Sequence, residues 1–233
     1  MSTGLTAAEW AIVALSLRVS LVAMIASLPV AYALAWLLAR RRFPGRLLLD
    51  AVVHLPLVVP PVVTGWALLL LFGRNGAIGG WLEAHLGVTL VFRWTGAALA
   101  AAVMALPLMV RTMRLSIEAV DRRLVAAART LGATPLRAFL TITVPLSAPG
   151  IAAGAMLGFA RSLGEFGATI TFASNIPGET RTLPLAIYTA LQLPDGEALV
   201  TRLALVSIAL SIAALLVSEW LVRRTPGGRV HGL

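Results

Sequence analysis

The sequence contains no cysteine and no lysine. The first absence excludes disulfides, thiolate nucleophiles and cysteine metal sites, and leaves the redox compartment open. The second makes all 19 basic residues arginines. Neither a nucleotide-binding Walker lysine nor a Schiff-base lysine can exist here. A GC-rich genome accounts for the surplus of Ala, Leu, Val and Arg, and the chemical exclusion stands regardless. Charge is scarce as well. Only 12% of the 233 residues are charged, about half the roughly 25% typical of soluble domains. His54 and His85 have no ligand-spaced partners, so no metal site is expected.

What is abundant is apolar: 59% of the chain is hydrophobic. That composition predicts an all-α integral membrane protein, with helices packed in lipid. The uncharged runs are Val19–Ala39, Ala51–Gly73, Trp94–Val110, Ala138–Ala160 and Leu203–Ser218. A bilayer core needs roughly 17–25 residues of helix. Four runs meet this directly, and the last does so with its flanks. The apolar pattern before Arg18 reaches back to Trp10, so the first helix is read as long or tilted. No leading segment has the basic start and cleavage site of a removable signal peptide. No long repeat or linker divides the chain, so residues 1–233 read as one membrane domain.

The arginines orient it. Arg40, Arg41, Arg42 and Arg46 follow the first run. Arg111, Arg114, Arg122, Arg123, Arg129 and Arg137 lie between the third and fourth, and Arg223, Arg224 and Arg229 follow the fifth. These 13 of 19 arginines fall in alternate loops, which the positive-inside rule makes cytoplasmic. The expectation is five spans, N-terminus outside and C-terminus inside. The pI near 11.7 is then topological, and nucleic-acid binding is not expected. Thr182–Leu193 is apolar but short and reads as a buried outer helix. If it spans, the count becomes six and the N-terminus moves inside.

Residues 118–145 form the longest cytoplasmic loop on this reading. Leu124, Ala128 and Leu131 share one helical face. Gly132 stops that helix as a C′ residue. Thr134 and Pro135 start a second, as N-cap and first position. Two short helices at a glycine corner suit docking into a cleft on a cytoplasmic partner. By periodicity alone, an amphipathic helix lying on the lipid surface serves equally well.

Ala126–Ala127–Ala128, three residues, Gly132, nine residues and Ile142–Thr143–Val144–Pro145 together resemble the "EAA" loop of ABC-importer permeases. The pattern departs at Ala126, where the family usually has Glu, and at Val144, where it usually has Leu. Residues 158–184, GFARSLGEFGATITFASNIPGETRTLP, resemble molybdate ABC-transporter permeases. So do LPLVVPPVV at 55–63, AAAVMALPLMVR at 100–111 and SEWL at 218–221. Sulfate permeases share a weaker form of the LGEFGA segment. The resemblance implies a type I permease fold in a bacterial inner membrane, working as a homodimer. It also implies two cytoplasmic ATPase subunits that bind ATP-Mg, and a periplasmic or extracellular molybdate-binding protein. The chain itself would hold no cofactor and do no bond chemistry. Ala126, Ala127, Ala128, Arg129, Gly132, Ala133, Pro135 and Pro145 would form the coupling loop that sits on the ATPase. Molybdate is the first cargo expected, then tungstate, with sulfate or thiosulfate behind.

Arg161 and Glu165 are four apart and share a helical face if the helix continues through both. Near mid-bilayer each charge costs roughly 2.5–3.5 kcal/mol on insertion scales, which pairing offsets. They read as a structural ion pair, because an exposed Glu165 would repel an anionic cargo. Pathway candidates are Ser162, Gly164, Glu165, Gly167, Thr169 and Thr171, although most such positions in membrane helices are packing contacts. Pro56, Pro60, Pro61 and Pro107 predict kinks in the second and third spans. Glu118 and Asp121 meet either partner cations or neighbouring arginines. A secondary transporter would need ion-coupling groups, for which only Glu165 offers a hint. A membrane enzyme would need convergent His, Asp or Glu residues, and the spans lack them.

Overall fold

The computed structural model of the protein describes residues 5–224. Arg229 lies outside the described residues, as do the side chains of Ser218, Glu219 and residues 221–224, which take in Arg223, Arg224 and most of the SEWL stretch. Helices carry the architecture, and no strand occurs among the described residues.

The first helix, α1, spans Ala7–Arg40. It opens with a capping box: Thr6 Oγ1 accepts from Glu9 N, and Glu9 Oε2 accepts from Thr6 N at 2.7 Å. Its 34 residues extend about 51 Å, well beyond a hydrocarbon core of about 30 Å. Two charges inside it are met by tertiary partners. Arg202 Nε and Nη2 donate to Glu9 Oε1 at 2.9 and 2.7 Å, and the Arg18 guanidinium lies 3.8 Å from the Trp94 ring centroid. The helix therefore starts well before the uncharged run that begins at Val19.

The second apolar run is not one straight helix. It divides into α2 (Arg46–Val58) and α3 (Pro61–Phe72), bent by 117°. Pro60 and Pro61 cannot donate backbone hydrogen bonds. Proline also pushes the preceding residue out of the helical region, and Val59 is extended at φ −73°, ψ 138°. Pro56, by contrast, lies inside α2, which continues through it. A short helix α4 (Ala77–Leu86) follows, then α5 (Trp94–Ala119), which continues through Pro107.

After α5 come α6 (Arg122–Thr130) and α7 (Pro135–Ala138). A π turn at Phe139–Thr143 leads to α8 (Val144–Leu146) and then α9 (Ala148–Leu163). The segments Pro135–Leu146 and Ala148–Leu163 meet at 64°. Pro145 and Pro149 each remove a helix donor around this point, which accounts for the irregular backbone. Next are α10 (Gly167–Phe172), α11 (Leu183–Ala190) and α12 (Glu197–Arg224).

Among the described residues three helices are long and apolar enough to cross a membrane, or up to five if each of the two bent pairs is one span. With eight residues, α11 is about 12 Å long and does not cross. It is instead held inside the bundle, where Leu183 N donates to Ser16 Oγ of α1 at 2.7 Å.

The core centres on α5, packed against α1 and α9. Met109, Val110, Met113 and Ile117 are fully buried. Facing them, Gly150, Gly154 and Gly158 repeat every fourth residue along α9, over Ser116, Met113 and Met109. Between helices in lipid, close packing of small residues replaces the hydrophobic drive of a water-soluble core. A second close approach joins α3 to α10: a Cβ on Gly65 would stand 2.7 Å from the Ala168 carbonyl oxygen. Leu47, Val58, Leu205, Ile208 and Leu216 face outward, as helices in lipid require.

Candidate functional site

The loop between α5 and α9 is built from local rules. Asp121 caps α6 by accepting from Arg123 N at 2.8 Å. Gly132 takes φ +88° directly after the helix. Gly132 N donates to Arg129 O at 3.1 Å and Ala133 N to Ala128 O at 3.0 Å. These two bonds form a Schellman motif, with Gly132 at C′. Thr134 Oγ1 then accepts from Arg137 N at 3.2 Å, and Pro135 occupies the first position of α7. The corner thus has the form that Gly132, Thr134 and Pro135 predict.

Ala126, Ala127, Arg129, Gly132, Pro135 and Pro145 are exposed; Ala128 and Ala133 are half-buried. Four leucines of this loop also face outward: Leu131 is 89% exposed, Leu136 66%, Leu140 54% and Leu124 49%. Four leucines on a short basic loop leave an apolar surface unused by the chain's own fold.

Two sets of polar contacts, besides the packing of Phe139 on Tyr32 and Trp36, tie the loop to the bundle. Arg40 Nη2 donates to Ile117 O at 2.7 Å and Val120 O at 2.8 Å, closing the C-terminal end of α5. Ser147, fully buried at the bend between α8 and α9, is within 2.9 Å of the Tyr32 hydroxyl of α1, and its carbonyl accepts from Ser116 Oγ of α5 at 3.4 Å. Neither Tyr32 nor Ser147 stands out in the sequence, since their contact spans 115 positions. The available signal was the flanking pair Pro145 and Pro149.

The acids near the loop answer to this chain's own arginines. Arg114 Nε donates to Glu118 Oε1 at 2.9 Å, and Arg114 Nη1 reaches Asp50 Oδ2 at 3.2 Å. His54 Nδ1 lies 2.8 Å from Asp50 O. Glu118 and Asp121 are therefore internal partners in this structure.

The second region follows α9. Arg161 Nη1 and Glu165 Oε2 form an ion pair at 2.6 Å. The helix expected to carry both ends at Leu163, however, and Gly164 is its C-cap. Glu165 sits in the break, where its Oε1 accepts from Ala168 N at 2.8 Å, in the first turn of α10. One carboxylate thus neutralises Arg161 and satisfies a helix start, where its negative charge is also favoured by the dipole.

The remaining candidates are mostly enclosed by protein. Ser162 is buried and its Oγ has no partner. Thr169 is buried as well. A Cβ on Gly167 would stand 2.7 Å from Pro61 Cβ, and Thr171 Cβ lies beneath Gly65. Gly164 is exposed. Gly167 and Thr171 therefore mediate the α3–α10 contact.

A bundle of broken and unbroken apolar helices with a basic, capped two-helix loop matches a known class. Residues 9–226 match the family of binding-protein-dependent transport system inner membrane components, and the chain belongs to that family. It is therefore the multi-pass inner-membrane component of a transport system. Within the family, it is 59% identical to the molybdenum transport system permease protein ModB of Escherichia coli (strain K12), over 94% of this chain and 96% of that protein. It is 56% identical to ModB of Haemophilus influenzae, over 90% and 92%. The sulfate transport system permease protein CysT of E. coli is 41% identical, over 85% of this chain and 71% of that protein. Among solved structures, a bacterial ABC transporter that imports alginate shares the fold, with a TM-score of 0.74 at 15% identity, over 94% of this chain and 80% of that one. The MetNI methionine ABC transporter gives 0.69 at 15% identity, over 94% of both chains.

Proposed function

We propose that this chain is the membrane-spanning permease subunit of an ATP-driven molybdate importer. The observation that carries the reading is the 59% identity to a molybdenum permease over nearly the full length of both chains, against 41% to a sulfate permease. Tungstate, an oxyanion of the same shape, is the expected second cargo. Sulfate or thiosulfate follows at lower preference.

On this proposal two copies of the chain form the pathway between them. Two ATPase subunits, loaded with ATP-Mg, sit on the cytoplasmic side, and a periplasmic or extracellular molybdate-binding protein delivers the anion. The N-terminus lies outside and the C-terminus inside, the orientation that the arginine distribution favours. Residues 118–145 are the coupling loop, with Leu124, Leu131, Leu136 and Leu140 facing the ATPase. The exposed apolar surface supports this over a loop lying on lipid, because the four leucines flank a rigid, fully capped corner.

Closure of the ATPase pair would push the loop. The 64° bend at Ser147, held by Tyr32 and Ser116, would pass that movement to α9. The glycine face of α9 then shifts against α5, and the two permease halves rock between inward-open and outward-open states. Gly164, exposed in one chain, is the candidate to line the pathway, and Ser162, Gly167, Thr169 and Thr171 would shape it through the packing around the α9–α10 break. Arg161 and Glu165 hold the break between α9 and α10 in place. Reconstitution with the ATPase and binding protein tests the reading: molybdate uptake should require ATP. Uptake that instead follows a proton or sodium gradient would identify a secondary transporter.

A further inference from the structure

A cavity of about 390 Å³ lies between the end of α1 and the loop. That is within the range of roughly 300–1,000 Å³ for small-ligand sites. Arg40, Arg41, Arg122 and Arg129 line it, together with the rings of Trp36 and Phe139, and among the described residues no acidic one does. Among the described residues none of these four arginines is in a salt bridge. Glu118, whose charge reaches Arg40, is engaged by Arg114. Arg40 and Arg122 repel each other.

The cavity is divided by chemistry. Trp36 and Phe139 pack edge to face at 5.7 Å between centroids. Trp36 lies one turn, about 6 Å, before Arg40 along α1. The Arg41 guanidinium stands 5.4 Å from the Trp36 ring centroid. With α1 leaving the membrane near Arg40, Trp36 stands on the membrane side of that arginine, and a cavity that joins rings to guanidiniums suits an amphiphile. A free inorganic anion would need the charges and have no use for the rings.

We infer that this cavity binds the phosphate of an anionic phospholipid headgroup, between α1 and the loop. Arginines at the cytoplasmic boundary attract such lipids by about 1 kcal/mol each. A bound headgroup would relieve the repulsion among the four arginines and join the loop to the lipid surface. The inference rests on α1 leaving the membrane near Arg40. It shares Arg129 and Pro135 with the proposed coupling loop but does not depend on the cargo or on ATP, so its failure would leave the import reading intact.

The test uses the purified full chain in nanodiscs of phosphatidylcholine doped with phosphatidylglycerol. Native mass spectrometry reads the preference for retained phosphatidylglycerol. Arg122→Gln with Arg129→Gln should lower that preference about thirtyfold, from about 1 kcal/mol for each arginine. Arg42→Gln with Arg137→Gln removes the same charge outside the cavity and should change it less than about twofold. Arg41→Gln provides a second variant, on α1 and not on the loop, with an expected loss of about fivefold. Equal losses in the cavity and control variants would mean diffuse attraction and overturn the site. Displacement of the lipid by millimolar inorganic phosphate would show a free-anion site and overturn the lipid assignment. Unchanged lipid preference with weakened ATPase capture would give the cavity to an acidic protein partner, and the inference would fail.

Discussion

Arg161→Ala and Glu165→Gln, made singly and together, test whether the break between α9 and α10 is held by one ion pair. The Glu165 side chain is 2% exposed and that of Arg161 26%. Removing Arg161 leaves a buried carboxylate with one remaining donor, Ala168 N. Breaking a buried pair in this way costs about 3–5 kcal/mol. Glu165→Gln keeps an acceptor for Ala168 N and leaves a guanidinium already open on one side. Its cost is that of a hydrogen bond to a charged group, about 1.5–3 kcal/mol. The double variant has no stranded charge and should lie about 1–2 kcal/mol below the parent. Simple addition would instead predict a loss of about 5 kcal/mol or more. The assay is denaturant unfolding of the purified chain in detergent, with transport per assembled complex measured in parallel. Additive losses would show that the two side chains do not interact. If Arg161→Ala assembles normally but abolishes transport, Arg161 meets the anion and the structural role is wrong.

Three other variants check separate parts of the account. Gly132→Val should cost about 1–2 kcal/mol by placing a β-branched residue at φ +88° and should weaken ATPase capture. Gly132→Asn should restore capture, because no atom lies within 4 Å of the added Cβ. Normal capture by the Val variant would separate the corner from docking. Gly65→Ala should destabilise the α3–α10 contact by about 1–3 kcal/mol, since the carbonyl oxygen it meets is backbone, whereas Gly164→Ala should be neutral in the same unfolding measurement. Tyr32→Phe should lower ATP-driven uptake per complex while leaving basal ATPase activity of the partner intact. Unchanged uptake would mean that the Tyr32–Ser147 contact plays no part in transmission.

Where the fold obeys short-range rules, the chain could be read directly. Gly132, Thr134 and Pro135 specify a corner by backbone preference and capping, and the corner forms. The five apolar runs each coincide with a helix or a bent helix pair. The apolar pattern back to Trp10 likewise showed that α1 is long, and the adjacent Pro60 and Pro61 marked a break in the run 51–73, which bends by 117°. What escaped depends on distant partners. Arg202 of α12 and Trp94 of α5 meet the charges of Glu9 and Arg18. Pro107 stands inside a helix that continues, so proline alone does not predict a break. Arg161 and Glu165 do pair, but through a helix end that only Gly164 and Gly167 hint at. The basic cavity joins residues nearly one hundred positions apart, and no local pattern marks it.

On the proposed function, this chain carries molybdate across a membrane when an ATPase partner hydrolyses ATP. The most direct measurement is uptake of labelled molybdate into proteoliposomes that contain the chain and its ATPase subunits, with the binding protein outside and ATP inside. The account predicts uptake that stops without ATP, stops without the binding protein, and is competed by tungstate far better than by sulfate. Uptake that proceeds without ATP, or that favours sulfate, would contradict it.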